Sequence, residues 1–519
     1  MGIPVLESYL NGRWQTGHGR TSTLHNPTTG EAVAEASTEG LDFSSALSYA
    51  RTVGGPTLRA MTFAERGAML MAMSKALHAH RDELLAMATR NGGNTRGDAK
   101  FDVDGCTGTL AYYSKLGTKL GDAHWIIDGE SKQLAANPRY IGQHVKVPRQ
   151  GVAVHINAFN FPAWGFGEKA AVALLAGMPI VVKPATSTAQ LTERMFRILV
   201  EDGVCPDGAL SLVAGSPGDL VDHLGPQDVL AFTGSADTGA WIRSRDAIVR
   251  AGVRVNVEAD SLNAAVLGPD VDRESPCYDL FIREVARDMT QKAGQKCTAI
   301  RRVFVPADRV DEVGEDLAQE IQRTRVGDPA RSEVRMGPLA TQQQYDDVRG
   351  GVAKLAECAE FVYGDGGRGA RVGVEGNSGY FVGPTLLKAK DIDSAGIVHE
   401  LEVFGPVQTI VPYNGEAAEA VRGVALGAGG LVNSVYSDDK AFVKDMLFGL
   451  APFHGRLHLG HSKVAEHSPG PGTVLPQMVH GGPGRAGSGE ELGGMRGLDF
   501  YLQRCAVQGL KPLIEKSLA

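Results

Sequence analysis

From Gly151 onward the chain alternates short apolar runs with helical ones, and this rhythm restricts the possible fold more than any other feature. GVAVHI, PIVVK, LSLVAG and VLAFTGS read as strands, separated by KAAVALLAG, TAQLTERMFRILVEDG, a short helix, and followed by a helical run from Ala236. Near-continuous apolar strands alternating with helices build a parallel sheet covered on both faces. Ligands of such sheets sit beyond the strand carboxyl ends. The loops that matter are therefore NAFNFP, KPATS, AGSPG and FTGSADTG, all between residues 157 and 239. A second α/β unit starts at Leu262, with NAAVLG, AIRRVFVP, FVYG, YFVGPTLL, EVFGPVQTIVPY and GLVNSVYS as its apolar runs.

The flanks differ in period. Residues 42–120 repeat apolar positions at helical spacing, and the Met and Leu stripe of ERGAMLMAMSKALHAHRDELLAMATR reads as core. Lys132–Arg149 is extended and predicts a hairpin that leaves the domain. The tail GLDFYLQRCAVQGLKPLI has β character and suits a strand added to another subunit. The Gly- and Pro-rich stretch Ser468–Gly494 is too long for one turn and should wrap the surface or a site mouth. The expected class is α/β.

Charge and cysteine usage exclude several function classes. Lys and Arg total 52 against 60 Asp and Glu, a net charge of −8, which argues against a nucleic-acid or anionic-membrane partner. The six cysteines lie far apart with no CxxC pair, so a disulfide or zinc framework is not expected and a reducing compartment is. With no secretory signal in MGIPVLESYLNGRW and no run of about 20 apolar residues, the expectation is a cytoplasmic protein.

One cysteine stands apart. Cys297 lies in KAGQKCTA, just after an amphipathic run from Phe281 to Thr290. A helix emptying into a short glycine-containing loop can present one thiol, and a thiolate attacks electrophilic carbon well. A lone cysteine is as readily a packing residue, so this stretch alone leaves both readings open. His454, His458, His461 and His467 in HGRLHLGHSKVAEH suggest a metal, but alternation of Leu457 and Leu459 predicts a strand with His458 and His461 on opposite faces. No metal is expected.

Six motifs then occur in order: Asn160-Phe-Pro, Lys183-Pro, Phe232-Thr-Gly-Ser with Gly239, Glu258, Gly294-Gln-Lys-Cys297, and Glu402-Val-Phe404-Gly-Pro. Each alone is weak. Together they resemble the aldehyde dehydrogenase superfamily, over nearly the whole chain. This family likeness implies three parts: a Rossmann-like cofactor domain (residues 1–131 and 150–261), a catalytic α/β domain (262–478), and a small β oligomerisation extension (132–149 and 495–519). The resemblance implies that Cys297 is the nucleophile, Asn160 an oxyanion donor together with the Cys297 N–H, and Glu258 the base that activates water. Lys169 would face Glu258, either steering proton release or forming a structural ion pair. It further implies a dinucleotide site formed by Ile156, Asn157, Phe159, Lys183, Thr186, Ser187, Gly234, Ser235, Thr238, Ala259, Glu402 and Phe404. Gly234 and Ser235 would open a helix toward the pyrophosphate, Glu402 would hold the nicotinamide ribose, and Lys183 would face the adenine ribose.

Two departures from the family pattern bear on the cofactor. Thr186 stands where NAD-preferring relatives carry a glutamate that repels a 2′-phosphate, so NADP is expected, with NAD possible as well. Ala259-Asp260-Ser261 follows Glu258 where the family usually has Leu-Gly-Gly. Stretches such as VEADSLN and LPQMVHGGPGRAGSGEELGGMRG resemble the branch that oxidises acyl-CoA semialdehydes in aromatic (benzoate) degradation. That branch implies an acyl-CoA aldehyde substrate, with Arg456, Lys463, Arg485 and Arg496 as candidate contacts to its phosphates, and a homodimer. The rival readings are release of the thioester to free CoA, which the presence of Glu258 opposes, and a catalytically silent binding relative, which retention of Cys297, Glu258, Asn160 and Glu402 together opposes.

Overall fold

A computed structural model describes residues 2–518. The first sheet has seven strands in the spatial order Arg254–Glu258, Val229–Thr233, Ala153–Ile156, Ile180–Lys183, Leu210–Leu212, Ser8–Leu10 and Arg13–Gln15. The first five are parallel and the last two antiparallel. Their apolar side chains are buried on both faces, as IVVK and VLAFT require. The chain passes from Ala153–Ile156 outward through Ile180–Lys183 and Leu210–Leu212, then returns to the other side with Val229–Thr233. A crevice opens at that reversal, above the carboxyl ends.

The second sheet is also seven-stranded, in the order Ala359–Tyr363, Thr385–Ala389, Val407–Tyr413, Arg302–Pro306, Ala264–Leu267, Gly430–Tyr436 and His454–Gly460. Only the Ala359–Tyr363 edge is antiparallel. Glu258 ends a strand of the first sheet and Ala264 begins one of the second, so the turn between them joins the two units at the crevice. A third sheet pairs Leu502–Leu510, Tyr140–Pro148 and Ile126–Gln133, all antiparallel, and stands largely exposed. Among the described residues no helix is long and apolar enough to cross a membrane.

Helices 63–79, 96–120, 164–175 and 189–201 share one apolar core with the first sheet. The 25-residue helix Arg96–Leu120 starts at Thr95, whose hydroxyl accepts the Asp98 N–H at 3.2 Å. It stays helical despite three interior glycines because its inner stripe (Ala99, Val103, Cys106, Leu110, Tyr113) is core.

The tail departs from its expected β character at both ends. Met495–Tyr501 is a helix whose Leu498 and Tyr501 enter the core of the first unit, and Lys511–Leu518 is helical; only Leu502–Leu510 is strand. Tertiary burial of Leu498 and Tyr501 overrides the β propensity of that aromatic run. Likewise the strand expected in YFVGPTLL starts only at Thr385, since Gly383-Pro384 interrupts pairing.

Candidate active site

The loop that presents Cys297 is strained, and its strain is answered from two directions. Helix Pro276–Thr290 ends in a tight turn where Lys292, Ala293 and Gly294 all take left-handed backbone angles (φ 53°, 52° and 69°). For the two non-glycine residues this costs roughly 1–3 kcal/mol each. Asp98 of the long helix accepts the Lys292 N–H at 3.2 Å, and Asn94 accepts the Lys292 ammonium at 3.0 Å, while that ammonium also lies 4.4 Å from the Phe161 ring centre. On the other side Gly294 must be glycine, because a Cβ there would sit 2.1 Å from the Gly405 carbonyl oxygen. Buried Lys296 pairs with Asp288, and Asn263 donates to the Cys297 carbonyl at 2.8 Å. The thiol is thereby held at a fixed point.

Two groups meet that thiol. Glu258, at the carboxyl end of its strand, and His480, in the Gly-rich stretch after residue 468, complete a cluster of three. His480 Nε2 lies 3.2 Å from Glu258 Oε1 and 3.6 Å from Cys297 Sγ. One nitrogen reaches both partners, and Nδ1 of the same ring is buried without a hydrogen-bond partner. Burial, then the negative charges of Glu258, Glu168 and Glu402, push the Cys297 thiol well above its ordinary value. Burial alone would push the Glu258 carboxyl up; the charge and hydrogen bond of His480, with Lys169 and a hydrogen bond from Cys297, reverse this and hold it well below the usual carboxylate range.

Lys169 is buried and ion-pairs with Glu168 at 2.8 Å. Burial pushes its ammonium down, but the charges of Glu168 and Glu258 carry it above its ordinary value. Asn160 donates its side-chain amide to the Gln295 carbonyl at 3.0 Å, so it braces the catalytic loop and keeps its second amide hydrogen for another acceptor. Both Asn160 and Cys297 line the same cavity.

On one side of Cys297 lies a cavity of about 620 Å³ above the carboxyl ends of the first sheet. Ile156, Asn157, Phe159, Lys183, Gly234, Ser235, Thr238, Ala259, Glu402 and Phe404 all line it, whereas Thr186 and Ser187 are outside the lining, in the turn behind Ala185. Several polar atoms here are buried with no partner: both amide atoms of Asn157, the Thr233 hydroxyl and one oxygen of Glu402. Unsatisfied donors and acceptors around an elongated crevice fit a dinucleotide, which has hydroxyls and an amide to offer them. Burial raises the Glu402 carboxyl to about 7 and lowers the Lys183 ammonium to about 8, and no carboxylate offsets the latter. At the helix Ala236–Ser244, the first free N–H is taken by Asp260, 3.0 Å from Ala236 N. A carboxylate therefore sits where a pyrophosphate would be expected.

Residues 14–507 match the aldehyde dehydrogenase family. The chain belongs to that family. The 3,4-dehydroadipyl-CoA semialdehyde dehydrogenase of Aromatoleum evansii is 44% identical over 478 residues, covering 92% of this chain and 93% of that protein. Retinal dehydrogenase 2 of Mus musculus is 29% identical, covering 84% and 81%. Betaine aldehyde dehydrogenase of Staphylococcus aureus, solved with NAD+, shares the fold with a TM-score of 0.83 at 24% identity, covering 98% and 95%. An aldehyde dehydrogenase fold is thus the frame on which these residues sit.

His480 lies inside LPQMVHGGPGRAGSGEELGGMRG, a stretch that carries the family-branch resemblance, but the sequence assigns it no role. The histidines of residues 454–467 are dispersed by the fold: His454 bonds the Leu450 carbonyl, His458 lies 3.2 Å from Glu284, and His461 lies 3.1 Å from Asp438. The signals for His480 are its place in that branch-like stretch and its position before Gly481-Gly482 in the expected mouth-wrapping segment. The proposed phosphate contacts also fall elsewhere. Arg456 spends its guanidinium on the carbonyls of Pro471 and Thr473, Arg485 lines the dinucleotide cavity, and Arg496 is exposed near Glu491.

Proposed function

We propose that this aldehyde dehydrogenase is an NADP-dependent enzyme that oxidises an acyl-CoA semialdehyde to its acid, with 3,4-dehydroadipyl-CoA semialdehyde as substrate, in aromatic (benzoate) degradation. Identity of 44% spread across more than nine-tenths of both chains supports the substrate class. The observation that carries the chemistry is the meeting of Cys297, Glu258 and His480 at the junction of two cavities.

The chain's residues divide the work. With its own hydrogen on Nδ1, His480 takes the proton of Cys297 at Nε2, and the imidazolium so formed donates it in a hydrogen bond to Glu258 and keeps that carboxylate ionised, while Sγ adds to the aldehyde carbon. The resulting alkoxide accepts from Asn160 and from the Cys297 N–H; one such donor contributes about 3 kcal/mol. The bound nicotinamide supplies the acceptor for the hydride that leaves that carbon. A thioester then remains on Cys297, and Glu258 takes a proton from the water that cleaves it, releasing the acid and the thiol. Asn157 and Glu402 would hold the dinucleotide near the reacting carbon. Lys183, positive and without a carboxylate partner, is the residue offered to a 2′-phosphate. Thr186, one turn further back, would act by leaving that region uncharged. The exposed third sheet supports a homodimer joined there, and the chemistry suits a cytoplasmic enzyme.

The test is the product formed from a CoA-linked six-carbon semialdehyde with NADP and NAD side by side. Free acid, a higher kcat/KM with NADP, and a Thr186→Glu variant shifted toward NAD are expected. A CoA thioester product, formed only when free CoA is added, would overturn the hydrolytic reading; parity of the cofactors would overturn the preference for NADP.

A further inference from the structure

On the side of Cys297 away from the dinucleotide cavity, the active site continues into an open groove of about 850 Å³. The groove shares Phe101, Trp164 and Val474 with the small cavity that contains the thiol, so the two adjoin across these three side chains. One wall is the outer face of helix Arg96–Leu120; the other is the segment Thr473–Gln477.

That helix face has an unusual composition. Lys100, Asp104, Gly108, Tyr112 and Lys115 repeat at helical spacing along it and all line the groove. Gly108 is exposed mid-helix, where glycine is the least favourable residue after proline. A Cβ there would meet nothing within 4 Å, so packing within the protein does not require the glycine. Asp104, the single acid of the lining, is paired with Arg81 at 2.6 Å. Among the described residues Lys100 and Lys115 have no acidic partner. The groove is therefore apolar at its throat (Phe101, Trp164, Val474), smooth in its middle, and positive at both ends, about 22 Å apart along the helix axis. The same helix holds the catalytic centre by its inner face: Asp98 binds the Lys292 N–H, and Asp102 binds the Trp164 N–H at 2.7 Å. Whatever lies along the outer face is thus in fixed register with Cys297.

We infer that this groove is the subsite for the phosphorylated handle of the substrate, with the acyl and pantetheine arm in the throat and a rim lysine, Lys100 or Lys115, on the CoA phosphates. The inference rests on the proposed acyl-CoA substrate and assigns it a place. Charge complementarity selects an anionic handle, and a throat of aromatic and aliphatic side chains suits an apolar arm rather than a charged one. None of the four basic residues expected from the sequence is in this lining.

The experiment compares kcat/KM for one six-carbon semialdehyde presented as its CoA thioester and as its pantetheine thioester. It uses the parent and the Lys100→Glu/Lys115→Glu double variant, each checked by circular dichroism. In the parent, the CoA thioester should be favoured, and the preference should shrink as salt is raised. In the double variant the ratio should fall about tenfold or more, chiefly through KM. A Gly108→Trp variant should raise KM for both thioesters by obstructing the groove. If the parent shows no preference for CoA over pantetheine, the handle is not recognised and the acyl-CoA reading itself fails. If the parent prefers CoA and the double variant keeps that preference, the substrate class stands and this subsite is wrong. An unchanged KM for both thioesters in Gly108→Trp likewise removes the groove from the substrate's path.

Discussion

The two sides of Cys297 are built by different means. On the dinucleotide side four wall residues sit at strand ends: Asn157 after Ile156, Lys183 at the end of its strand, Gly234 after Thr233, Glu258 at a strand terminus. Several polar atoms around the cavity are buried and without a hydrogen-bond partner, as a partner of fixed chemistry requires. On the substrate side the walls come from a helix near the start of the chain and a loop near its end, more than 350 residues apart, with an apolar throat and the two lysines toward the ends of the helix face. A cofactor common to many enzymes can be met by local loops that recur as motifs. A substrate particular to a few is met by surfaces that only the finished fold brings together.

Substitutions at the junction test that division, the largest effect first. Cys297→Ala should lower turnover by roughly 10⁴-fold or more while the affinity for NADP, followed by fluorescence titration, stays close to the parent's. Loss of both would mean that the two sides are one cooperative unit. Glu258→Gln should cost about 10²–10⁴-fold in steady-state turnover yet still release one equivalent of reduced cofactor in a rapid-mixing trace. The same variant removes a negative charge that raises the Cys297 thiol, so the thiol's pKa should fall, and iodoacetamide should inactivate Glu258→Gln faster than the parent at a given neutral pH. A slower reaction would reverse the assigned sign.

His480→Phe should act less strongly, by about 10²-fold, and it should move the pH profile. In the parent His480 holds Glu258 low, so the base stays ionised as pH falls. Without His480 the carboxyl rises, and the acid limb of kcat should shift to higher pH; an unmoved limb would show that His480 does not govern Glu258. The smallest change concerns Asp260→Gly. Removing the carboxylate from the Ala236 N–H frees a helix terminus for the pyrophosphate, and cofactor affinity should tighten a few-fold at low salt. Weaker binding would mean that Asp260 helps to hold the cofactor.

How far these features could be read in advance follows the same division. The doubly wound sheet was visible in GVAVHI, PIVVK and VLAFTGS because strands buried on both faces leave an apolar signature. Cys297, Glu258 and the strand-end loops were legible because their neighbours form short motifs, and the fold brings Cys297, Glu258 and Asn160 to the walls of one cavity. His480 was not legible: its partners are 183 and 222 residues away, and nothing periodic surrounds it. Nor was the role of Thr186 fully readable, since a one-residue shift in the turn after Lys183 decides whether a side chain faces the cavity. The helical start of the tail was hidden for a similar reason, because Leu498 and Tyr501 take their conformation from a core formed by distant segments.

The left-handed turn at Lys292–Gly294 has a consequence for how the protein is made. Its shape is secured by Asn94 and Asp98 from one end of the chain and by the close approach of Gly405 from the other. During synthesis the thiol leaves the ribosome more than a hundred residues before Gly405 does. A nascent chain therefore carries Cys297 with Asn94 and Asp98 already made but without Gly405 and His480. The cluster of Cys297, Glu258 and His480 closes only once the stretch after residue 468 has folded onto it.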